Sequence, residues 1–117
     1  MTTRYLAIFL GTPDSMARWN ALDESTRKAK ESEGIQAWKD WMEKHKAALA
    51  QMGSPLGKTL RVDKSGFAPT KNAMTAWVAL DADSHEAAAR MFEGHPHFTI
   101  FPGESIEVME CLPIPGM

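Results

Sequence analysis

The chain has 117 residues, 44% of them hydrophobic and 24% charged, with a formal net charge of −2. That is ordinary globular sequence for one domain spanning residues 1–117, long enough to bury roughly two-thirds of its unfolded surface. No basic excess is present to grip nucleic-acid phosphates, no run of about 18 apolar residues could cross a bilayer, and the single cysteine, Cys111, has no internal partner, so a reducing cytoplasm is the expected setting.

Arg4–Leu10 is a continuous apolar run ended by Gly11, too short for a secretory leader and read as a strand covered on both faces. Thr12-Pro13-Asp14 supplies a cap, a first-turn proline and an acidic residue, which predicts a short helix over 13–21. Residues 23–33 are charged and fit a solvated helix or a loop. Ser32 can cap a helix continuing to about Gln51, with Gly53 as its stop. Ile35, Trp38, Trp41, Met42, Ala48, Leu49 and Met52 then form one apolar stripe, with His45 lying on it and Lys39 off it. The turn-rich 53–57 leads to a short strand, Lys58–Val62, and a turn at 63–66. Ala73–Asp81 is the next strand, apolar on both faces and carrying Trp77. Asp83-Ser84-His85-Glu86 resembles a capping box opening a second helix, with Ala88, Met91 and Phe92 facing inward. Gly94-His95-Pro96-His97 ends that helix, and Glu104–Leu112 is the last strand.

The order β-α-β-β-α-β is that of ferredoxin-like folds, so the predicted class is α+β: a four-stranded antiparallel sheet with its first and third strands central and helices on one face. Two helices cover one face only. The other would expose more apolar area than a lone chain usually leaves wet, so a homodimer joined through the sheet, a dimeric α+β barrel, is expected.

The chain resembles the YCII-related proteins, in particular the DGPF-domain branch. Arg4–Phe9 is similar to the opening strand of that family, Gly53–Leu60 to its helix-to-strand connector, and Gly66–Lys71 to the segment around its Asp-Gly-Pro-Phe motif. Asp81–Ala87 resembles its lead-in to the second helix, and His95-Pro96 with Gly103–Val108 its closing strand. Ser65 stands in place of the motif's Asp, and the Pro between Gly and Phe is missing. The resemblance implies a dimeric α+β barrel with a pocket between sheet and helices. It assigns no role to His45, which lies closer to Gly53 than the helix histidine of some relatives.

His45, on the apolar stripe, would be held neutral by burial and so fit for general acid or base work; its bland role is a hydrogen-bonded core histidine. His95 and His97, two apart in extended backbone, would point the same way and act at a pocket mouth or merely form a turn. Two ligands are too few for a structural zinc site, and no metal is expected. Trp38, Trp41 and Trp77 could line a cavity for a planar ligand, or be plain core. Asp81 and Asp83 are read as capping groups. His45 and His97 are thus the candidate catalytic residues, and Trp38, Trp41, Trp77 and His95 the candidate substrate contacts. Two functions follow: a small-molecule enzyme of isomerase or lyase type with no tightly bound cofactor, or a non-catalytic module that binds a metabolite or regulates a partner.

Overall fold

In the computed structural model, which describes residues 1–116, the elements run β1 (Thr3–Gly11), α1 (Pro13–Asn20), α2 (Glu24–Lys44), β2 (Leu49–Pro55), β3 (Thr59–Asp63), β4 (Gly66–Thr70), β5 (Met74–Ala82), α3 (His85–Arg90), α4 (Pro96–Thr99) and β6 (Gly103–Glu110). The two segments apolar on both faces, β1 and β5, are antiparallel neighbours at the centre of a four-stranded sheet ordered β2-β5-β1-β6. All its pairings are antiparallel. This is the ferredoxin-like arrangement, with the charged β6 at one edge as expected.

One face of the sheet carries Tyr5, Ala7 and Phe9 from β1 and Ala76, Val78 and Leu80 from β5, all buried against Trp41 of α2 and against Ala88 and Phe92. Phe9 and Leu80 are fully buried. Each side chain of this kind contributes roughly 1.5–3 kcal/mol when removed from water. Along Cα positions the molecule measures 53 × 43 × 18 Å, and the short dimension has room for one sheet and one helix layer. The opposite face, with Leu6, Ile8, Leu10 and Trp77, is therefore only partly covered.

Two expected boundaries are corrected. The long helix starts at Glu24, because the Asp23 carboxylate accepts a hydrogen bond from the Thr26 amide (2.7 Å) and caps it there, ahead of Ser32. It ends at Lys44 rather than near Gln51. His45 is its C-cap, and the His45 carbonyl accepts from the amides of Ala48 and Leu49. Leu49 keeps helical spacing from Met42, yet it pairs with Leu80 in the sheet; tertiary pairing overrides the local period.

Consequently the second strand of the sheet is Leu49–Pro55, and the expected strand Lys58–Val62 lies outside the sheet. It belongs to a separate β3–β4 hairpin that pairs with no other strand. Gly53, expected to stop a helix, sits inside β2 with φ +66, where the pairing with β5 shifts register between Gln51 and Ser54. The hairpin exposes Val62 (78%) and Phe67 (74%).

Smaller features follow their signals. Thr12 caps α1 in a reciprocal box with Ser15, and Ser84 caps α3 by accepting from the Ala87 amide at 3.0 Å. Asp81, expected to cap, instead pairs with Arg4 across the β1–β5 ladder at 2.6 Å, and this hydrogen bond holds its carboxyl below the usual carboxylate range. No helix among the described residues is long and apolar enough to cross a membrane.

Candidate functional site

A cleft of about 1150 Å³ opens between α2 and the end of the sheet where β2 and β5 meet. Helix α2 presents Ile35, Trp38, Lys39 and Met42 to it, and β2 adds Met52–Pro55. The opposite wall comes from 71–73 and the start of β5, and the inner end from His97, Phe101 and Gly103. The lining is mostly apolar with a few polar groups, the usual make-up of a small-molecule site. A smaller concavity of about 350 Å³ is confined to the β3–β4 hairpin and includes the Arg61–Asp63 ion pair.

Three of the six candidate residues, Trp38, Trp77 and His97, line the cleft; His45, His95 and Trp41 do not. The reason is the helix geometry. Trp41 is buried, and its indole N–H donates to the Met91 carbonyl at 2.7 Å, which ties α2 to the end of α3. His45 caps α2 at the far side of Trp41, with ring centroids 4.9 Å apart. Partial burial, and Lys44 beside it, lower its pKa.

Only His95 is on extended backbone (φ −60, ψ 140); His97 lies inside a helix. His95 is the N-cap of α4 and Pro96 its first residue, so a new short helix begins where a turn was expected. The His95 Nδ1 accepts a hydrogen bond from the His97 amide at 2.9 Å, so the ring proton sits on Nε2. That Nε2 is buried without a hydrogen-bond partner. The ring is enclosed edge-on by Trp38 (4.6 Å, 90°), Trp41 (4.7 Å, 66°) and Phe9 (5.1 Å, 85°). An N–H among aromatic faces gains only a weak contact. Burial, followed by the neighbouring His97 and His45, lowers the His95 pKa to about 3, so it is neutral at pH 7.

The three histidines therefore do not converge. Trp41 separates His45 from His95, and Trp38 packs against both His95 and His97. Among the described residues no group of three or more His, Cys, Asp or Glu side chains could hold a metal.

His97 is 5% exposed, and its Nε2 donates to the Leu10 carbonyl at 2.8 Å, at the end of β1. Burial lowers its pKa, and the carbonyls of Leu10 and Ser105 pull it part of the way back. Gly103 makes this packing possible, since a Cβ there would overlap the His97 ring. The neutral imidazole is thus anchored at one nitrogen in the wall of the cleft, with Trp38 beside it.

No protein-family model matches this sequence, and no curated protein matches it. Among solved structures the chain is similar to 5-chloro-2-hydroxyhydroquinone dehydrochlorinase from Burkholderia phenoliruptrix AC1100, in complex with 2,5-dihydroxybenzoquinone. The TM-score is 0.53 and the sequences are 16% identical, over 90% of this chain and 89% of that chain. The likeness is one of fold. An enzyme that handles a small molecule is built on the same α+β frame.

Met52, expected on the helix stripe, lines the cleft from β2 instead, and Lys39, Lys71, Asn72 and Phe101 also line it and carry no sequence signal of their own. They lie on four separate stretches of chain that the fold brings to one cleft.

Proposed function

We propose that this chain is a small-molecule enzyme of YCII-related, DGPF-like type that works in the cleft between α2 and the sheet, without a tightly bound cofactor. The observation that carries this reading is a mostly apolar cleft of about 1150 Å³ with a neutral, anchored histidine, His97, in its wall. Neutral imidazole can accept a proton at pH 7, and the hydrogen bond to the Leu10 carbonyl fixes which nitrogen is protonated. Trp38 offers a flat wall to a planar ring. His97 takes a proton from the bound compound and returns it, the step common to isomerisation and elimination beside a carbonyl. The dehydrochlorinase of the same fold supports an assignment to small hydroxylated ring compounds. His45, His95 and Trp41, outside the cleft, position α2 and α4.

The test is His97→Gln, whose amide N–H can still donate to the Leu10 carbonyl but which cannot shuttle a proton. Product analysis on a panel of hydroxyquinones and cyclic enones, including 2,5-dihydroxybenzoquinone, should show turnover by the natural chain. The variant should lose roughly 100-fold or more at unchanged melting temperature. Equal turnover by both removes His97 from the chemistry. One observation favours the second reading, a non-catalytic metabolite-binding or regulatory module: a His97 ring nitrogen is already occupied by Leu10. Under it the same panel raises the melting temperature and forms no product.

The working unit in this proposal is a homodimer. Leu6, Ile8, Leu10 and Trp77 form the partly covered sheet face, with Met109 beside them (40% exposed), and the hairpin exposes Leu60, Val62 and Phe67. A hairpin alone is marginal in water, and a partner's surface would stabilise it. Ile8 lies between Trp77 and Glu107 in the ladders, so Ile8→Glu puts a second carboxylate into the middle of this face. Sedimentation equilibrium should give two chains for the natural protein and one for the variant. A natural chain that sediments as a single subunit at high concentration contradicts the dimer.

A further inference from the structure

We infer that the cleft selects planar aromatic anions, ring compounds bearing a carboxylate, phenolate or enolate, and that Lys39 and Lys71 supply the selectivity. The inference rests on the cleft being the ligand site. The chain as a whole has 13 lysines and arginines against 15 acidic residues, yet the lining of the cleft includes two lysines and no aspartate or glutamate. Neither lysine takes part in an ion pair among the described residues; those pairs join Arg4 to Asp81, Lys28 to Glu24, Arg61 to Asp63 and Arg90 to Glu86 and Glu93.

The two charges come from opposite walls, Lys39 from α2 and Lys71 from the segment between the hairpin and β5. Other polar groups add donors. The Asn72 carbonyl oxygen is used by the Met74 amide at 2.9 Å, which leaves its NH₂ to give. The Thr75 hydroxyl already donates to the Phe9 carbonyl at 3.1 Å. An anion entering this cleft meets donors around an apolar floor. A cation meets two like charges, which oppose its binding. Trp38, Met42 and Phe101 fix the rest of the ligand as flat and apolar.

The experiment is isothermal titration at low ionic strength with 2-naphthoate and its neutral isostere 2-naphthamide. The natural chain should bind naphthoate roughly tenfold tighter, since two solvent-screened lysines together give a modest preference for the anion. The double variant Lys39→Gln, Lys71→Gln should keep the naphthamide affinity and lose the naphthoate advantage. Added salt should erode that advantage in the natural chain only. Equal binding of the two compounds by the natural chain overturns the inference while the cleft survives as a ligand site. A naphthoate advantage that persists in the double variant also overturns it, because the anion then sits elsewhere. If neither compound binds, the inference and the cleft reading fall together.

Discussion

Acidification from pH 7 to pH 4 is expected to strip this protein of several kcal/mol of stability, most of it through one histidine that never meets solvent. His95 titrates near 6.5 when unfolded and at about 3 when folded. The unfolded chain therefore binds a proton that the folded chain refuses, and stability falls as pH drops through that window. The stabilisation is complete above pH 6.5 and is lost progressively down to about 3. The slope is roughly 1.4 kcal/mol per pH unit for a single such group. His45 and His97 are lowered too and act in the same direction. The carboxylates with depressed pKa, Asp23, Asp63 and Asp81, begin to contribute only from about a unit above their unfolded value of 3.8, so the range from 6.5 to about 5 reports the histidines. Against a typical total of about 5–15 kcal/mol this loss is large. The control is His95→Asn. Its side-chain oxygen can still accept from the His97 amide and cap α4, but it does not titrate. Urea unfolding at pH 7, 5.5 and 4 should show a steep fall in the natural chain and a shallower one in the variant, whatever the variant's absolute stability. Equal stability of the natural chain at pH 7 and pH 4 contradicts the buried, unpartnered imidazole.

Gly53→Ala should cost several kcal/mol, far more than a methyl group on an exposed strand residue. The backbone there has φ +66, where an L side chain costs about 1–2 kcal/mol. In addition, the new Cβ would overlap the Trp77 carbonyl, a backbone atom that cannot rotate away. Relief requires β2 to leave β5 over Met52–Pro55, the stretch that forms one wall of the cleft. The loss should thus appear twice, in melting temperature and in weaker ligand binding. Gly57→Ala is the matched control, since a Cβ there meets nothing within 4 Å. It should be neutral or slightly stabilising. Similar melting temperatures for the two variants would place Gly53 outside any constrained bulge.

The central strands were legible because they carry apolar side chains on both faces, which writes an unbroken apolar run, and β1 and β5 are the two segments that have one. The first helix was legible from Thr12-Pro13, which acts locally. What failed was periodicity across residues 45–55. Ala48, Leu49 and Met52 sit at helical spacing from Trp41 and Met42, and Gly53 reads as a helix stop, yet Ala48 lies in a turn and Leu49–Pro55 form a strand whose register shifts around Gly53. Nothing local distinguishes the two, because pairing of Leu49 with Leu80 decides between them. The hairpin followed from the same error: once the helix was run to about Gln51 and 53–57 read as its connector, the next extended stretch, 58–62, had to stand in for the second strand. For the site, the sequence did offer Trp38, Trp77 and His97, because aromatic rings and a histidine announce themselves by type. It could not offer Lys39 or Lys71, which look like any solvated lysine until α2 and the segment before β5 are placed across a cleft from each other.

A crystal structure of the protein grown with 2-naphthoate is the most direct test of that cleft as the functional site. The ring should lie between Trp38 and Met42 on one side and the β2–β5 wall on the other, with its carboxylate turned toward Lys39 and Lys71. Density on the partly covered sheet face or along the hairpin, with the space beside His97 left to solvent, would contradict it.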